Sequence, residues 1–138
     1  MKKIGILNRG LSKIVASMGH GQQILVGDAG FPIPKTLECV DLALTEGKVS
    51  IEETLRTILT ELKVEKVIVA EEIKKYAPEQ LDLYKKIFKN IPKGIEYVTI
   101  KEMLAMAPQA IAAVRTGDTG AAYASLILVS GVTYGPNA

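Results

Sequence analysis

The sequence predicts an α/β fold, a single-domain layered structure with a largely parallel, helix-covered sheet. Two observations point there. Short apolar runs such as 23–27 (QILVG) and 66–70 (KVIVA) lack polar alternation, as strands buried on both faces do. Between them lie stretches with apolar residues at helical spacing, and alternation of the two element types is the signature of α/β layering. A chain of 138 residues without repeats, linkers or low-complexity tracts fits one domain, 1–138.

In chain order, Leu11, Ile14, Val15 and Met18 fall at i, i+3, i+4 and i+7, predicting a helix over 11–18 with Ser12 near its start. Gly19-His20-Gly21 ends it, and the strand over 23–27 follows. Asp28-Ala29-Gly30-Phe31-Pro32-Ile33-Pro34 must be a loop, because its prolines cannot continue a helix or a central strand. Ser50 and Glu53 have capping-box spacing, and Ile51, Leu55, Ile58, Leu59 and Leu62 continue as a helical face. The strand over 66–70 comes next, then a helix over 78–88 with Pro78 in its first turn. A strand over 95–100, a short helix over 101–106 and strands over 111–115 and 125–129 complete the pattern, with 116–122 connecting the last two.

Composition excludes several function classes. Lysines interleave with glutamates, as in Glu71, Glu72, Lys74 and Lys75, and the net charge is only +2, so no nucleic-acid footprint is expected. No run of 18 apolar residues predicts a membrane span, and the first residues do not read as a secretory leader. A single cysteine, Cys39, cannot form an internal disulfide, which fits a reducing, cytoplasmic setting. His20 is the only histidine, and no cysteine pair or carboxylate cluster stands in for missing metal ligands, so zinc is not expected.

The candidate chemistry rests on His20 and Asp28. Glycines on both sides of His20 let a ligand approach backbone closely, and an imidazole is the side chain suited to proton transfer at neutral pH. They are also ordinary helix-stop residues. Asp28 follows a buried strand, where open α/β sheets place their ligand loops, although a turn aspartate has the same look. Together they could supply a proton donor and an orienting carboxylate. Thr116-Gly117-Asp118-Thr119-Gly120 lacks the Gly-Lys-Ser/Thr ending of a phosphate loop, so nucleotide binding is not expected. Glu71 and Glu72 follow a strand and read as a solvated helix start.

The blocks Met18-Gly19-His20-Gly21 and Asp28-Ala29-Gly30-Phe31-Pro32-Ile33-Pro34, then Asp41-Leu42-Ala43-Leu44-Thr45, Ala70-Glu71-Glu72-Ile73-Lys74, Arg115-Thr116-Gly117 and Gly131-Val132-Thr133, resemble the ribose pyranase and fucose mutarotase family nearly end to end. The resemblance implies interconversion of pyranose and furanose, or anomeric, forms of a free monosaccharide, D-ribose first, without metal or cofactor. It implies a ring-like homo-oligomer, a decamer or octamer, whose sites are lined by two neighbouring subunits. By position, His20 would be the proton donor and Asp28 a sugar-binding carboxylate, with Tyr123, Ala124 and Ser125 matching a sugar-binding Tyr-Ala-Asn triplet. Ile100 stands where the family carries a second histidine, and Ser125 replaces the asparagine. These departures leave open a fucose-type or other-sugar mutarotase, or a non-catalytic sugar-binding oligomer.

Overall fold

The computed structural model describes residues 1–138. Its centre is a six-stranded sheet of β1 (Gln23–Gly27), β2 (Glu38–Asp41), β3 (Val64–Ala70), β4 (Ile95–Val98), β5 (Ala112–Arg115) and β6 (Leu126–Ser130), in the order β2-β5-β1-β6-β3-β4. The pairs β2·β5, β5·β1 and β3·β4 are parallel, and β6 alone runs the other way, between β1 and β3. The sheet is thus parallel except for one central strand.

Side chains partition by the two-residue period of a strand. Ile24, Val26, Val67, Val69, Ala112, Val114, Leu126 and Leu128 pack on one face. There they meet Leu11, Ile14 and Val15 of α1 (Arg9–Ser17), Ile51, Leu55 and Ile58 of α2 (Ile51–Ile58), and Leu81 and Tyr84 of α4 (Pro78–Ile87). Leu25, Ile68, Ala113 and Ile127 point to the other face, covered by Met103 of α5 (Ile100–Met106) and by Phe31 of the proline loop. Both faces are buried, which is why the strands read as continuous apolar runs.

Local differences from expectation have local causes. Helix α1 begins earlier than its apolar pattern because the Asn8 side chain, not Ser12, caps it by accepting from Leu11 N at 2.9 Å. Ser50 caps α2 at Glu53 N, 3.0 Å, without a return bond from Glu53. The full reciprocal box forms at α5, between Thr99 and Glu102. That cap starts α5 at Ile100, which the sequence pattern assigned to a strand. Strand β2 was not anticipated: it is an edge strand with only Val40 buried, so it carries no apolar run. The one-turn helix α3 (Ile73–Tyr76) is likewise too short for a periodic signal.

This topology sorts the loops onto two edges. The carboxyl ends of the parallel strands and the start of β6 share one edge, gathering Asp28, Glu72, Ile100, Thr116 to Asp118, and Tyr123 to Ser125. The opposite edge gathers His20, Lys63, Glu65, Lys93 and Gly131. No helix is long and apolar enough to cross a membrane.

Candidate active site on two edges of the sheet

At the carboxyl edge, Asp28 leaves β1 directly, and its backbone N–H donates to Ser125 Oγ at 2.9 Å. Ser125 Oγ donates in turn to Asp28 Oδ2 at 2.8 Å, while Gly30 N–H donates to Asp28 Oδ1 at 2.9 Å. The carboxylate is therefore held in one orientation by a hydroxyl and an amide. Ser125 is buried and Asp28 half-buried. Each carboxylate oxygen retains capacity to accept from a sugar hydroxyl.

Tyr123 sits at φ 58°, in the left-handed region that costs a non-glycine residue roughly 1–2 kcal/mol. Strain of this sort collects at binding sites where the surroundings hold it in place. Here the holding group is Tyr84, whose hydroxyl donates to Ala124 O at 2.5 Å and accepts from Gln80 Nε2 at 3.1 Å. Burial pushes the Tyr84 phenol far above its usual range, with Gln80 opposing and Asp118 and Asp28 adding to the rise. It stays a donor. The ring of Tyr123 faces Tyr76, with centroids 5.3 Å apart, and a cleft of about 330 Å³ opens beside them between Gln80 and Gly120 to Ala122.

Ile100 presents no polar side-chain group. Its backbone N–H donates to both carboxylate oxygens of Glu72, at 3.1 and 2.9 Å, so Glu72 caps α5 rather than lying free in solvent. The 116–120 segment, read above as unlike a phosphate loop, is an architectural tie. Asp118 accepts from Ile51 N–H at the start of α2 and from Gly120 N–H, and its own carbonyl accepts from Ala29 N–H. Gly117 is required there by space, since a Cβ would lie 2.2 Å from Lys48 O.

The amino edge has a different character. His20 Nε2 lies 2.9 Å from Glu65 Oε2, and Lys93 Nζ lies 2.8 Å from Glu65 Oε1. Lys93 first, then His20, holds the Glu65 carboxyl below the usual carboxylate range despite its burial. The imidazole is half-exposed between two clefts. One, about 350 Å³, is lined by Lys63, Glu65, Pro92 and Lys93; the other, about 290 Å³, by Met18, Glu61, Ser130 and Tyr134. Their sizes fall at the small end of small-molecule sites.

Within one chain, the two leading candidates do not meet. His20 precedes β1 and Asp28 follows it, and five residues at about 3.3 Å each separate the edges by roughly 16 Å or more. Asp28, Tyr123, Ala124 and Ser125 are brought together, with Ile100 on the same edge. His20 stands apart, and the carboxylate beside it is Glu65 instead of Asp28. Sequence reasoning missed Glu65, Lys93 and Tyr84. The available signal for Glu65 was a glutamate between Val64 and Lys66 at the head of an apolar run, which reads equally as a strand end.

The family model described as the RbsD / FucU transport protein family matches residues 1–133. The chain belongs to that family. Among curated members, the D-ribose pyranase of Pseudothermotoga lettingae is 45% identical over 136 residues, covering 97% of this chain and 94% of the relative. That of Coprothermobacter proteolyticus is 44% identical, covering 97% and 100%. In three dimensions the RbsD / FucU chain matches Bacillus subtilis RbsD complexed with D-ribose, with a TM-score of 0.91, 38% identity and coverage of 97% and 100%. It also matches the fucose mutarotase of Streptococcus pneumoniae in complex with L-fucose, with a TM-score of 0.79, 25% identity and coverage of 93% and 95%.

Proposed function

We propose that this protein is a sugar mutarotase that interconverts the pyranose and furanose forms of free D-ribose. The observation that carries the reading is the end-to-end likeness to D-ribose pyranases, with the same fold as a ribose-bound RbsD. The chemistry is compatible with the groups present. Opening the pyranose breaks the bond between C1 and the ring oxygen. One proton goes to that oxygen and one leaves the C1 hydroxyl, giving the open-chain aldehyde. Attack on C1 by the neighbouring hydroxyl then closes the furanose. A positioned acid or base contributes about 10²–10⁴-fold, enough for a reaction that already runs in water.

In this reading His20 is the proton donor. Asp28 accepts from sugar hydroxyls, Ser125 fixes Asp28, and Tyr123 offers a ring face and a phenol with no partner inside the chain. Ala124 contributes through backbone shape, its carbonyl being committed to Tyr84. Ile100 closes the site with an apolar wall.

The donor and the binding groups face opposite edges, so the working site is built from two copies, His20 of one and Asp28 of the next. A contact joining unlike edges is head-to-tail, and such contacts form a ring where the rotation between copies closes. Leu44, exposed at the carboxyl edge, and Tyr134, exposed at the amino edge, supply apolar surface for it.

The test is complementation. At ribose well below KM, His20→Ala and Asp28→Ala are each expected to lose most ribose exchange in saturation-transfer NMR, the first through kcat and the second through KM. Co-expressed in equal amounts, they regain about a quarter of the sites if two subunits build each one in a randomly mixed ring. Recovery of none, with mixed rings confirmed by mass, would refute the shared site. Ribose binding with no exchange above the spontaneous rate would refute the enzyme.

A further inference from the structure

Strand β3 breaks its own alternation. Val64 and Val67 pack into the same face of the core although they are three residues apart, an odd spacing that a regular strand sends to opposite faces. The pairing with β6 explains it: Val64 aligns with Ser130 and Lys66 with Val129, leaving Glu65 as the extra residue of a β-bulge. Bulges re-aim a side chain, and they recur beside active sites.

The re-aimed side chain is Glu65, which is buried, and its surroundings are shaped to receive it. Gly131 lies against it: a Cβ there would come within 3.1 Å of both Glu65 Cβ and Lys63 Cγ. Lys93 is fixed twice, its backbone N–H donating to Glu65 O at 2.8 Å and its ammonium to Glu65 Oε1 at 2.8 Å. Only Oε2 is left for His20. An ammonium has donors and no acceptor, so it keeps one carboxylate oxygen occupied while the other accepts from the imidazole.

Resting on the mutarotase reading above, we propose that bulged Glu65 is the positioning residue of His20: it holds the Nε2–H, so that Nδ1 is the atom that exchanges a proton with the sugar. Nδ1 has no partner within the chain, and the ring is open to the clefts on either side. An imidazole nitrogen tied to a carboxylate fixes both the tautomer and the ring orientation, leaving the other nitrogen for chemistry. The acid in the first half-reaction is the Nδ1–H of the imidazolium. The neutral ring left behind carries its lone pair on Nδ1, ready to take the proton back when the furanose closes. Water takes the proton lost by the C1 hydroxyl on opening and returns one to the same oxygen on closure, so protons balance over the cycle.

Because His20 is the only histidine, its ring nitrogens can be observed without assignment. In ¹⁵N-labelled protein above the imidazole's titration, the wild type is expected to show protonated Nε2 and unprotonated Nδ1. Glu65→Gln is the decisive variant. Lys93 continues to demand an oxygen acceptor, so the new amide turns its NH₂ toward Nε2 and drives the ring to the Nδ1–H tautomer. Ribose kcat should fall at least about 10-fold, within the span a positioned acid supplies, with KM changed less than about 3-fold. Adding Lys93→Met to Glu65→Gln frees the amide to rotate, and should return the Nε2–H tautomer with part of kcat.

The proposal is overturned if the wild-type ring carries its proton on Nδ1, or if Glu65→Gln leaves both tautomer and kcat unmoved. A fall in KM-dependent rate alone, with kcat intact, would also overturn it. Absence of ribose exchange in the wild type sinks the mutarotase reading separately, since the tautomer is read without turnover.

Discussion

The two edges of the sheet are built on opposite principles. At the carboxyl edge, Asp28, Ser125, Tyr84 and Asp118 form a lattice of hydrogen bonds to one another and to backbone, partly or wholly buried, that fixes the loops and holds no imidazole. At the amino edge, a half-exposed imidazole, a carboxylate and an ammonium form an open charged chain between two clefts. On the proposed reading, the first edge recognises hydroxyls and the second moves a proton, the two tasks lying a strand's length apart within one chain.

That contrast can be broken in several ways. His20→Ala should cost the most, about 10²–10⁴-fold in ribose exchange, with the protein still folded because the ring is half-exposed. Asp28→Ala should act on KM instead: a hydrogen bond to a charged group is worth about 1.5–3 kcal/mol, or roughly 10- to 100-fold in sugar affinity. Equal effects of both variants on kcat would dissolve the division between edges.

Stability should show the same asymmetry. Gly117→Ala places a methyl 2.2 Å from a backbone oxygen and should cost about 2–3 kcal/mol in urea unfolding, the upper part of the overpacking range. Tyr84→Phe strands the buried Ala124 carbonyl and should cost about 1–3 kcal/mol, loosening Tyr123 with it. The ion pair of Lys13 and Glu38, with both side chains at least half exposed, should contribute less than about 0.5 kcal/mol when Lys13 is replaced by alanine.

Acid should strike the amino edge. The folded carboxyl of Glu65 titrates below its ordinary value of 4.5, chiefly because of Lys93 and then His20. The unfolded chain therefore binds the proton first as pH falls. The stability Glu65 contributes is fully present above about pH 4.5 and is lost as pH drops through the depressed folded value. Urea midpoints measured from pH 6 downward should fall less steeply in Glu65→Gln than in the wild type. Parallel curves would show that the Glu65 pairing does not contribute.

Much was legible before the structure. Each predicted strand and each long helix exists, because burial on both faces writes β-branched runs and burial on one face writes helical spacing. The elements that escaped, β2 and α3, bury one residue each and so leave no period. Asp28 could be placed after a strand, Tyr123 ahead of another and Ser125 at that strand's start, one residue before where β6 begins, since these are local relations along the chain.

What the sequence determined by itself was composition of the layers and the inventory of chemistry: one imidazole, one loop carboxylate after a buried strand, one aromatic-hydroxyl segment. Tertiary structure decided their company. His20 and Glu65 lie 45 positions apart, and they meet because strand order puts β6 beside β3 and a bulge turns one side chain. The same strand direction carries Asp28 away from His20, despite their eight-residue spacing. Periodicity records how deeply a residue is buried, but which distant residue lies against it depends on long-range packing that no local pattern encodes.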